Sequence, residues 1–161
     1  KALKLSNAAD VADKCAALSA DLKEKDRQID ILNQKISDMK MSAIFDNAKI
    51  VDGIKVVAAK LDGTNAQMLR SMGDNIKSME EPIIAVLAGE ADGKGNLAAA
   101  CSKAAQAKGA HAGKIVQQAS ALTGGKGGGR PDSAMAGVGD TAKIQDALNA
   151  VESIVSEMIK K

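Results

Sequence analysis

The sequence predicts an α+β protein: a long N-terminal coiled-coil-like helix, then a small globular domain whose β-sheet is covered by helices. Three observations predict it. Apolar residues from Val11 to Ala43 hold an unbroken heptad register, with no Pro or Gly before Gly53. Beyond that point, β-branched apolar runs end in turn residues, as strands do. These runs alternate with stretches of helical spacing in the order β-α-β-β-α-β-α. The chain has 161 residues, 45% of them apolar, but its single aromatic residue is Phe45. A core built without aromatic side chains is thin. One compact domain with an elongated appendage is therefore expected, divided as a helical subdomain over 1–46 and a globular domain over 47–161.

Composition excludes several classes. The formal net charge is +2 and no run of about 18 apolar residues occurs, so no transmembrane helix is expected. No basic segment precedes an apolar stretch in the manner of a secretory signal. Two cysteines, Cys15 and Cys101, are too few for a disulfide framework and suit a reducing compartment, so a cytoplasmic location without membrane association is expected. Lys1 opens the chain in mid-pattern, which suggests a piece of something larger.

The first element is a helix from about Ser6 to Asp46, roughly 60 Å long at 1.5 Å per residue. Its seam consists of Val11, Cys15, Leu18, Leu22, Ile29, Leu32, Ile36 and Met39, with Lys25 as the one polar seam residue and Ala43 at its end. A helix of this length overhangs a domain of about 115 residues. The seam therefore reads as facing a partner, either a second copy or another part of a parent chain; the alternative is a helix lying along its own domain.

The remaining elements follow in order. Ile54–Leu61 is a strand ended by Asp62-Gly63. Thr64 or Asn65 caps a helix with Leu69, Met72, Ile76 and Met79 on one face. Pro82 opens a strand over 83–88, residues 90–96 carry turn chemistry, and Leu97–Cys101 returns as a hairpin partner. A helix over about 102–123, interrupted near Gly109–Gly113, turns Ile115, Ala119 and Leu122 inward. A glycine loop spans Gly124–Gly129, Ser133–Val138 forms a short edge strand, and a final helix capped by Asp140 or Thr141 buries Ile144, Leu148, Val151, Val155 and Met158.

Catalytic chemistry is poorly supplied. His111 is the only histidine, and it reads as a surface or cap residue. Cys101 and His111 lack the further ligands a metal site needs. Glu80-Glu81 reads as a solvated turn, and Gly125-Lys126-Gly127 lacks the hydroxyl residue of a phosphate-binding P-loop. The chain is expected to be non-catalytic, with no metal and no cofactor of its own.

Charge is more informative. Between Asp92 and Asp132 no acidic residue occurs, yet Lys94, Lys103, Lys108, Lys114, Lys126 and Arg130 do. Such a window predicts a local positive field; the alternative is lysines scattered over different faces. Within it lies Gly124-Gly125-Lys126-Gly127-Gly128-Gly129-Arg130. Without Cβ atoms, main chain can approach a partner closely, and successive free N–H groups can form an anion-accepting concavity. Lys126 would supply a point charge and Arg130 a planar fork suited to phosphate.

Those residues carry a resemblance. Gly113-Lys114-Ile115-Val116, the block Leu122–Asp132, and Ala134-Met135-Ala136-Gly137 resemble the C-terminal domain of bacterial alanyl-tRNA synthetases, a relative of the accessory domain that follows the DHH domain in DHH-family phosphoesterases. The likeness runs from about Ile44 to the end, and the heptad helix sits where that family places its helical subdomain. Val138 departs from the pattern, which usually has glycine there. The resemblance implies a parent alanine–tRNA ligase using ATP, Mg and Zn in modules outside this chain. It implies that this piece binds the outer corner of tRNA, supports dimerisation and couples aminoacylation to editing, with tRNA rather than DNA as partner. The expected RNA-binding residues are Lys94, Lys103, Lys114, Gly124, Gly125, Lys126, Gly127, Gly128, Gly129 and Arg130. The alternatives are a substrate-binding accessory domain of a DHH-type phosphoesterase and a purely structural dimerisation module.

Overall fold

The computed structural model describes residues 10–91 and 93–160, with only the backbone of Asp10 and Ala12. The expected helix start at Ser6 and the turn residue Asp92 lie outside them. Helix α1 runs Asp10–Phe45. The chain divides into two compact units, residues 1–36 and 37–161.

In the first unit, the side chains at the seam positions are exposed, among them Leu22 at 64%, Ile29 at 54% and Leu32 at 56%. In the second unit, the end of α1 buries Ser37, Met41 and Ile44. Met39 and Ala43, which continue the heptad, point to solvent. At 100° per residue they lie on the side of the helix opposite Ser37. Within this unit, Met39 and Ala43 thus lie on a different face from the stripe that packs on the sheet.

The globular unit is a six-stranded sheet in the order β1-β2-β3-β4-β6-β5, with helices on both sides. Strand β1 (Lys49–Val51) pairs antiparallel with β2 (Ile54–Asp62) through Asp52-Gly53. Both turn residues have positive φ, 49° and 74°, as a two-residue hairpin requires. Strand β1 was not expected, because three residues are too few to show alternation. Helix α2 (Ala66–Lys77) crosses over to β3 (Ile83–Ala91), which lies parallel to β2. Its cap is Asn65, whose side chain accepts from the Met68 N–H at 2.9 Å.

Residues 83–89 are buried on both faces, which explains why this central strand reads as a continuous apolar run. Strand β4 (Lys94–Cys101) returns antiparallel and closes more tightly than expected, with Ala91 opposite Lys94. Lys94 therefore sits in a strand rather than in a loop. Next come α3 (Lys103–Ala107) and α4 (Ala112–Leu122), separated by Gly109, whose φ is +94°. His111 caps α4, its Nδ1 accepting from the Lys114 N–H at 3.3 Å. The buried stripe of α4 is Ala112, Ile115, Val116, Ala119 and Ser120. Leu122, expected inward, falls at the margin of that stripe and is 47% exposed.

Strand β6 (Ser133–Gly137) is not the edge strand the sequence suggested. It lies between β4 and β5 (Gly127–Gly129), and β5 forms the edge. Asp140 caps a 3₁₀ turn (Thr141–Lys143), followed by α5 (Ile144–Asn149) and α6 (Val151–Ile159).

Strand alternation divides the core in two. On one face Ile54, Val56, Ile84, Val86, Leu97 and Cys101 pack against α4, α5 and α6. On the other, Val57, Ile83, Ala85, Leu87 and Ala100 pack against α2 and the end of α1. Helix α2 buries Leu69, Met72 and Ile76 there, each contributing roughly 1.5–3 kcal/mol over exposure. Met79 lies beyond the end of α2 and packs at the margin of the same cluster.

Candidate functional site

The glycine segment is built differently from a loop of free amides. Helix α4 ends in a Schellman turn: Gly124 has φ +68°, its N–H donates to Ala121 O at 3.1 Å, and the Gly125 N–H donates to Ser120 O at 2.9 Å. Those two amides close the helix and form no anion cup. Gly127, Gly128 and Gly129 stand in β5 opposite Ala136, Met135 and Ala134. A Cβ on Gly127 would meet the Cβ of Ala136, and one on Gly129 would lie 2.6 Å from Ala134 Cα. Close strand approach thus explains these two glycines. The N-terminal amides of α4 are engaged as well: Ala112 and Gly113 donate to Pro131 O and Arg130 O at 2.9 and 3.1 Å.

The six cations of the acid-free window do not form one strip. Lys94 opens β4, and Lys126 precedes Gly127, which is level with Ala136 and Leu97. Lys103 opens α3 just past the far end of β4, on the order of 26 Å away along the strand. Arg130 follows Gly129, level with Ala134 and Ala99 at that far end. Lys114 is in the first turn of α4, whose N-terminus meets Arg130 and Pro131. Lys108 is drawn aside, its ammonium donating to Gly53 O at 2.9 Å. Arg130 meets its own loop's Asp132 at 3.4 Å. Among the described residues Lys94, Lys103, Lys114 and Lys126 have no ion-pair partner.

Sequence reasoning missed a second cationic element. Helix α2 lies over β4, with Gly73 against Ala100, and presents Arg70, Asp74 and Lys77 along its flank toward β6 and β5. Between that flank and Gly128, Arg130 and Met135 runs a groove of about 510 Å³. Lys77 bridges Asp74 at 2.6 Å and Asp132 at 3.6 Å. Arg70 is exposed and has no partner among the described residues. The spacing of seven between Arg70 and Lys77 was the available signal, since it places both on one helix flank.

Elsewhere, two titratable groups are shifted by their surroundings. Burial pushes the Cys101 thiol up to about 12, with the Asp132 charge adding to the effect. The Lys55 ammonium, donating to Glu81 at 2.8 Å, holds that carboxyl below its ordinary value. Among the described residues no group of three His, Cys, Asp or Glu side chains is placed to hold a metal ion. No helix among them is long and apolar enough to cross a membrane.

Residues 53–157, which include every residue of the α2–β5 groove, match the family described as the DHHA1 domain. The chain belongs to the DHHA1 domain family. This DHHA1 domain and its preceding helix are 39% identical over 143 residues to the alanine–tRNA ligase of Oceanobacillus iheyensis, covering 89% of the chain and 16% of that protein. Similarity to the alanine–tRNA ligase of Bacillus pumilus is 38% over 154 residues, or 96% of the chain and 18% of the ligase. The chain thus spans less than a fifth of the length of these curated relatives. Among solved structures, the C-Ala domain of Aquifex aeolicus alanyl-tRNA synthetase shares the fold, with a TM-score of 0.61 and 21% identity, over 68% of this chain and 98% of that one. The resemblance to the C-terminal domain of alanyl-tRNA synthetases is thereby shown.

Proposed function

We propose that this DHHA1 domain is the non-catalytic C-terminal module of an alanyl-tRNA synthetase. In this reading it binds the outer corner of folded tRNA by shape and charge in the cytoplasm and associates through the α1 seam. It thereby couples aminoacylation to editing, while the chemistry that uses ATP, Mg and Zn belongs to the parent chain. The similarity to alanine–tRNA ligases over 89% of the chain carries the reading. Unpaired exposed lysines support it, because RNA duplexes are read mainly through phosphates, 2′-hydroxyls and shape. So does the single aromatic residue: stacking platforms for unpaired bases are not supplied. The exposed seam of α1 supports association, since contiguous apolar surface marks an interface.

Filter binding of a tRNA transcript across a salt series tests the proposal. The expected outcome is an affinity that falls steeply with salt, as several phosphate contacts require. Affinity that ignores salt, or no binding at all, overturns it and leaves a structural association module.

A further inference from the structure

We infer that the ribose-phosphate backbone of the bound RNA lies in the groove between α2 and the β5–β6 edge, with Arg70 as its anchoring cation; the inference rests on the RNA-binding reading above. The groove differs from the rest of the surface in three respects.

First, its lining includes one glycine that the fold does not require. Every other glycine of the chain either has a positive φ or would press a Cβ against a neighbour within 4 Å. Gly128 and Gly137 have neither constraint, and a Cβ on either would enter open space. Gly128 stands directly opposite Met135, and Gly137 lies two residues beyond Met135 on β6. Alternation puts all three on one face of the sheet, the face α2 leaves uncovered beyond β4. Gly128 is exposed and lines the groove, whereas Gly137 lies outside it, in a neighbouring hollow with Lys94 and Asn96. Main chain without Cβ atoms lets a bulky chain come close.

Second, the rim carries the matching charge. Arg70 stands unpaired on the α2 side, with its planar fork of donors available for phosphate. Lys77 and Arg130 line the same groove and share Asp132, at 3.6 and 3.4 Å. The exposed Arg130 pair is weak, so an incoming phosphate competes with Asp132 for Arg130, while Lys77 keeps its bridge to Asp74.

Third, the lining selects a backbone rather than a base. No aromatic side chain lines the groove; Phe45 lines a different hollow, with Lys55 and Met79. Stacking a base requires such a side chain, whereas seating phosphates and riboses requires donors and close approach.

The test uses the 161-residue chain and a tRNA transcript, with affinity measured across a salt series beside thermal melting. Arg70→Ala is expected to weaken binding about tenfold and to lower the salt slope by about one phosphate contact. Gly128→Leu is expected to melt with the wild type yet bind at least about fivefold more weakly, because its Cβ enters open space and the rest of its side chain occupies the groove. Asp132→Asn, which releases Arg130 and leaves Lys77 paired with Asp74 alone, is expected to tighten binding. Lys49→Ala, on β1 at the opposite edge of the sheet from β5, is expected to change affinity less than about twofold. Salt-dependent binding by the wild type, with Arg70→Ala or folded Gly128→Leu binding equally well, overturns the groove and leaves the RNA-binding reading standing. No binding by the wild type defeats that reading itself.

Discussion

Cys15 and Cys101 show how environment alone separates two identical side chains. Cys15 is exposed on α1, whereas Cys101 is buried in the core and its thiol is pushed up to about 12. A thiol reagent at neutral pH should modify Cys15 in the native protein and reach Cys101 only after unfolding, because the thiolate is the reactive form. The folded state favours the neutral thiol, so its contribution to stability is complete below the ordinary value of 9.0 and is lost as pH rises toward about 12. Relative to Cys101→Ala, the wild type should lose stability across that window in denaturant melts. Glycines separate in the same way. Gly129→Ala should cost about 1–3 kcal/mol by overpacking against Ala134, while Gly128→Ala should stay within about 0.5 kcal/mol of wild type. Urea denaturation of the two variants distinguishes the glycine that the fold needs from the one it leaves open.

At the scale of elements, α2 carries two roles on two flanks. Its buried flank anchors the sheet, so Met72→Ala should cost about 2–5 kcal/mol in thermal or urea melts. Its groove flank holds Arg70, whose removal should affect RNA binding and leave the melt unchanged. Helix α1 divides its roles along its length and around its axis: Met41 and Ile44 fix its end to the globular unit, while the seam stays exposed. Replacing Leu22 and Ile29 together by Asp should convert any dimer to monomer in sedimentation without lowering the melting temperature of the globular unit. A dimer that survives the double substitution rules out the seam as its interface. Much of this was legible, because the heptad, the α2 face and the apolar run at 83–88 are long enough to show a period. Strands β1 and β5 were not, because three residues show no alternation and Gly-Gly-Gly carries no hydrophobic pattern at all.

At the scale of the whole molecule, the net charge of +2 is too small to steer a polyanion by itself, so the proposed RNA binding depends on where the cations stand. The acid-free window was legible as a sequence feature. The cations of that window are divided in the fold, since the two ends of β4 carry Lys94 and Lys103 apart. The groove proposed as the RNA seat is assembled from α2 and β5, elements some fifty residues apart in sequence.

By itself, the sequence determined the class of the fold, the heptad helix, the order of most elements and the family, because each of these is written in local period, turn chemistry or a contiguous block of residues. Only the tertiary structure decided what the glycines do. It ended a helix with Gly124, narrowed a strand pair at Gly127 and Gly129, and left Gly128 facing an open groove beside Arg70. Which main chain stays bare depends on what other segments press against it, and no local pattern records that.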